Sequence, residues 1–84
     1  MELEYTDEFK DAYSDLTAKE QRQIERKILL LANDYRHPSL QARKWEPPNT
    51  WYIRVNSDIR LFYEVQAGFY RLITVGHHDI GRSR

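Results

Sequence analysis

The sequence predicts an α+β domain in which an N-terminal strand and a helical hairpin pack on one face of a mainly antiparallel sheet. Three observations carry this expectation. Apolar residues recur at helical spacing over residues 9–35, they alternate with period two over residues 51–75, and the turns between the alternating runs are too short for parallel crossovers. With 84 residues there is material for one hydrophobic core, so positions 1–84 read as a single domain.

The elements run in order along the chain. Leu3-Glu4-Tyr5 alternates and opens the sheet as a short strand. Thr6 is placed to cap a helix whose first turn holds Asp7 and Glu8, where the helix dipole favours acids. Phe9, Ala12, Tyr13 and Leu16 then share one helical face. Thr17-Ala18-Lys19-Glu20 has the form of a capping box, and Ile24, Ile28, Leu31 and Tyr35 make the apolar stripe of a second helix over Ala18–Asn33. Pro38 closes that helix, because the residue before a proline avoids the helical region.

Beyond it the period changes to two. Residues 40–44 are expected to form a short strand, and Glu46-Pro47-Pro48-Asn49-Thr50 a loop. Trp51, Ile53 and Val55 point one way, Tyr52, Arg54 and Asn56 the other. After a turn at Asn56-Ser57-Asp58, Ile59, Leu61, Tyr63 and Val65 oppose Arg60, Phe62 and Glu64. A second turn at Gln66-Ala67-Gly68 leads into a last strand over residues 69–75. The expected order is therefore β-α-α-β-β-β-β.

Composition narrows the functional classes. There is no Cys, which removes disulfides and thiolate metal sites and suits a reducing cytoplasm. The apolar run Ile28-Leu29-Leu30-Leu31-Ala32 is too short to span a bilayer, and Glu2 and Glu4 stand where a signal peptide would carry bases. Net charge is zero but unevenly placed. Residues 1–35 hold nine acids and five bases, whereas residues 36–84 hold eight bases, all Arg except Lys44, and four acids. Arg in that proportion suits phosphate recognition, or else decorates solvent-facing strand positions. His77-His78-Asp79 is a weak metal motif, since adjacent strand residues face opposite ways and no fourth ligand is evident.

Four segments carry a resemblance: Leu40-Gln41-Ala42-Arg43-Lys44, Trp51-Tyr52-Ile53-Arg54-Val55, Arg60-Leu61-Phe62-Tyr63-Glu64-Val65 and Leu72-Ile73-Thr74-Val75-Gly76-His77-His78-Asp79. In this order, after a helical hairpin, they resemble the RelE/ParE superfamily of toxins from type II toxin–antitoxin pairs. The resemblance covers essentially the whole chain, with short tails as in a complete toxin. It implies a RelE-like fold, a cognate antitoxin as partner and, for many members, cleavage of mRNA on the ribosome in the cytoplasm without metal or cofactor. A ParE-like toxin that inhibits DNA gyrase by contact, or a degenerate member that only binds an antitoxin, are the other classes it admits.

The resemblance also implies site residues. Arg60 opens the Arg-Leu-x-Tyr strand and matches the Arg that contacts the scissile phosphate in nuclease members. His78 lies where these hold a proton-transfer residue, with His77 as the alternative ring. Glu46 resembles the carboxylate base of one subgroup, and Arg43, Lys44 and Arg54 match positions that bind RNA backbone. Tyr63, at the family's Tyr position, reads as core. Asp79 departs from the pattern, since several relatives carry Tyr there, and a neutral chain with pI ≈ 6.8 departs from the basic ribosome-targeting relatives.

Overall fold

The computed structural model describes residues 2–46 and 49–77, for residue 46 the backbone alone. Eight segments succeed one another: β1 (Glu2–Tyr5), α1 (Asp7–Ser14), α2 (Ala18–Asn33), a 3-10 turn (Pro38–Leu40), β2 (Arg43–Glu46), β3 (Thr50–Arg54), β4 (Ile59–Gln66) and β5 (Phe69–His77). The sheet order is β1-β5-β4-β3-β2, antiparallel throughout except where β1 runs parallel to β5. This is the α+β arrangement expected from the sequence, two helices on one face of a five-stranded mixed sheet.

Both helices start on the residues their sequence marks. Thr6 is extended, and its hydroxyl accepts the Phe9 amide at 3.0 Å while donating toward the carbonyls of Leu72 and Ile73 at 3.0 and 2.8 Å. Its own amide donates to Leu72 at 3.1 Å, so one residue caps α1 and pins it to β5. Thr17 and Glu20 form the reciprocal capping box, at 3.1 and 2.9 Å. Gln21 Nε2 bonds the Tyr13 carbonyl at 2.9 Å and holds the hairpin shut.

The expected strand over residues 40–44 is corrected. Pro38 starts a 3-10 turn, Leu40 is fully buried at its end, and Gln41 takes a left-handed φ of +48°. An extended run cannot pass through that conformation, so pairing begins at Arg43. The expected loop also shortens, since Glu46 closes β2 and Thr50 opens β3, with Pro47 and Pro48 outside the described residues.

Alternation puts Ile53, Ile59, Leu61 and Leu72 beneath the helices, where they meet Phe9, Ile24 and Leu31 with almost no exposed surface. Each such aliphatic side chain stabilises the fold by roughly 1.5–3 kcal/mol. Two irregularities interrupt the ladder and re-aim side chains. Pairing shifts between Lys44 and Glu46, leaving Trp45 as an extra residue in β2, and shifts again so that Ile73 is extra in β5.

The double role of Thr6 generates a comparison. Thr17→Ala removes a cap and should cost about 1 kcal/mol. Thr6→Ala removes a cap and also the bonds to two β5 carbonyls, so its loss should be larger, about 2 kcal/mol. Urea denaturation of both variants checks the order; equal midpoints would detach Thr6 from the β5 irregularity.

Candidate functional site

The helices leave one sheet face without a covering layer among the described residues. Cross-strand registers Arg43↔Tyr52, Tyr52↔Phe62, Phe62↔Thr74, Arg54↔Arg60 and Arg60↔Gly76 place these residues together on it. At its middle lie three aromatic rings. Tyr52 and Phe62 are tilted neighbours at 5.5 Å, and Trp45 stands edge-on to both, at 6.1 and 5.3 Å with interplanar angles of 82° and 76°. Arg60 lies over the Tyr52 ring at 5.2 Å from its centre.

Arg54 and Arg60 face each other directly across β3 and β4. Like charges so placed repel, and among the described residues neither guanidinium forms an ion pair with a carboxylate. Arg71, on the same face further along, is treated differently. It bonds Glu4 and Glu64 at 3.2 Å each. The sheet therefore neutralises one Arg and leaves two side by side beside an aromatic floor. A phosphate oxygen pair is the ligand class that fits such a fork of donors, by bidentate hydrogen bonding and charge.

The sequence-derived candidates divide between the two faces. Arg43, Arg54 and Arg60 share the open face. Lys44 does not; its register partner is Trp51, and its ammonium lies 5.8 Å from the centre of that ring. His77 pairs with Ile59 on the helical side, where Nδ1 meets Asp58 Oδ2 at 2.5 Å and Nε2 is 3.9 Å from Glu20 Oε2. The two carboxylates approach different ring nitrogens of His77. His78 and Asp79 lie outside the described residues, and of Glu46 the backbone pairs with Thr50. Tyr63 is 4 % exposed in the core, T-shaped against Tyr70 at 5.5 Å, and burial pushes its phenol up to about 12.

Trp45, Tyr52 and Phe62 were not singled out by sequence pattern as a site, although a signal exists. Tyr52 and Phe62 fall at outward positions of their strands, where an exposed sheet face ordinarily carries polar groups.

A five-stranded sheet of this order with a helical hairpin on one side is a fold shared with solved toxins of the YoeB/ParE, YafQ and RelE types. The YoeB/ParE toxin from Agrobacterium tumefaciens superposes with a TM-score of 0.78 at 18 % identity, over 93 % of this chain and 99 % of that one. YafQ from Escherichia coli gives 0.77 at 14 % identity, over 92 % of each chain. In the intact E. coli RelBE toxin–antitoxin complex the match is 0.73 at 19 % identity, over 89 % of this chain and 93 % of that one. No family model and no curated protein sequence matches. No helix of the described residues is long and apolar enough to cross a membrane.

The buried phenol yields a pH prediction. An unfolded tyrosine ionises near 10, so the neutral ring of Tyr63 supports the fold fully below pH 10, and that support is lost as pH rises toward about 12. Stability should fall over this window, and less steeply in Tyr63→Phe, which cannot ionise. Denaturation series at pH 9 to 12 check the difference in slope; parallel curves would place the titration elsewhere.

Proposed function

We propose that this chain is the toxin of a type II toxin–antitoxin module and cleaves mRNA on the ribosome. The observation that carries the reading is the Arg54–Arg60 pair, held without carboxylate partners among the described residues, on the aromatic face of a fold shared with YoeB, YafQ and RelE. The reaction is an in-line displacement at phosphorus without metal or cofactor. The 2′-oxygen of one nucleotide bonds to the adjacent phosphorus, the bond to the 5′-oxygen breaks, and the products carry a 2′,3′-cyclic phosphate and a 5′-hydroxyl.

The reaction sets three tasks: taking the 2′-proton, giving a proton to the leaving 5′-oxygen, and holding the added negative charge. Arg60 takes the last. Its guanidinium is oriented by the Tyr52 ring, which lowers the conformational cost of meeting a phosphorane. Arg54 and Arg43 bind flanking backbone from the same face, whereas Lys44, on the opposite face, contributes at most long-range charge. His78 is assigned the proton to the leaving group and Glu46 the proton from the 2′-hydroxyl. His77 is engaged with Asp58 on the helical side, which supports His78 over it.

Primer extension on translating ribosomes, with circular dichroism as the folding control, tests the assignment. Arg60→Ala should lower cleavage about 10²–10³-fold, since its charge acts mainly in the transition state. His78→Ala should cost about 10²–10⁴-fold. Folded variants that cut as fast as the parent would overturn these roles. A parent that cuts no mRNA but inhibits DNA gyrase would establish the ParE-like alternative in place of the nuclease.

The antitoxin is the second partner in this reading, as RelBE and DinJ-YafQ are toxin–antitoxin complexes. An acidic antitoxin segment reaching Arg43, Arg54 or Arg60 would mask the open face while apolar residues such as Leu29, 63 % exposed, bury against it. Reversing two of these charges to Glu should weaken co-purification with the cognate antitoxin at least tenfold. Undiminished recovery would move the antitoxin to another surface.

A further inference from the structure

The proposed RNA reading uses Tyr52 to orient Arg60 but leaves Trp45 without a task, and the geometry points to one. We propose that the indole of Trp45 stacks the base of a nucleotide whose neighbouring phosphate lies between Arg54 and Arg60. This subsite rests on the RNA reading and adds to it the class of ligand group recognised: an unpaired nucleobase.

Five observations converge on Trp45. Its strand is the sheet edge, so no further strand flanks it. It is the extra residue where pairing shifts between Lys44↔Trp51 and Glu46↔Thr50, and a bulge of this kind re-aims a side chain. It packs against Tyr52 and Phe62 at steep angles, so no ring among the described residues lies parallel on the indole. The other two rings have little to offer, because Tyr52 is covered by Arg60 and Phe62 is 5 % exposed. Trp45 keeps intermediate exposure.

The chemistry of single strands fits these facts. Every base has a π-face, so an aromatic wall beside a cationic groove captures unstacked nucleotides with little sequence preference. Arg60 is shared between the two functions. Its guanidinium lies on Tyr52, Tyr52 meets Trp45, and the phosphate and the stacked base therefore fall within one continuous cluster. The competing explanation is that the three rings only form a small second core for the uncovered face.

Binding of a 2′-O-methyl hexanucleotide, which cannot be cleaved, separates the two. Fluorescence anisotropy of the labelled oligonucleotide at low salt should show saturable binding that weakens with salt and in Arg60→Ala. Trp45→Ala should lower affinity about tenfold to a hundredfold, the range that stacking of one base supplies, and Trp45→Phe should retain most of it. An abasic site walked along the oligonucleotide should reproduce that loss at one position with the parent protein and add little with Trp45→Ala. The parent half of this arm needs no variant to fold. If the parent binds in a salt- and Arg60-dependent way but abasic sites and Trp45→Phe or Trp45→Ala change nothing, the stacking subsite is overturned and the RNA reading stands. If the parent binds no oligonucleotide, the subsite is likewise overturned, and ribosomal cleavage decides separately whether the RNA reading survives.

Discussion

Thr6 joins three elements in one hydrogen-bonded knot, and the layout of the open face depends on it. Its amide and hydroxyl meet the carbonyls of Leu72 and Ile73, at the place where β5 carries one residue more than β4 opposes. A sheet has a side-chain period of two, so one extra residue exchanges the faces of everything after it. Leu72, before the irregularity, lies against the core opposite Tyr63. Beyond it Val75 faces the core, while Thr74 and Gly76 lie opposite Phe62 and Arg60. Without that extra residue Gly76 would turn inward and a bulkier side chain would stand beside Arg60.

Charge is arranged with the same economy. A net charge of zero hides a gradient along the open face, from Arg71 held between Glu4 and Glu64 to Arg54 opposite Arg60. The first arrangement ties β1, β4 and β5 together. The second is repulsive, and aromatic contact with Tyr52 offsets part of its cost. Stability is thus lowered at the Arg54–Arg60 pair and raised where Arg71 joins three strands.

Much of the fold was legible because local chemistry and periodicity agreed. Thr6, Thr17 and Glu20 mark helix starts without tertiary help, and α2 falls on Ala18–Asn33 as its stripe requires. The outward positions of Tyr52, Arg54, Arg60 and Phe62 came from alternation alone. Alternation failed where backbone geometry intervened. The left-handed turn at Gln41 delayed β2, and nothing in the letters around Ile73 announces an extra residue, so the facing of His77 could not be read from spacing. Trp45 escaped for the same reason: its placement comes from a register shift, which is a property of two strands at once.

The parallel pairing of β1 with β5 has a consequence for how the molecule comes into being. Thr6 meets Leu72 across 66 positions of sequence. Chains are synthesised from the N-terminus, so the first strand and both helices exist before the strand they pack against. Long-range pairing of this kind closes a large loop at considerable entropic cost and comes late in folding. Arg54 and Arg60 can be set opposite each other by a hairpin alone, but their backing comes from β5. The growing chain therefore lacks a finished open face until β5 has been made.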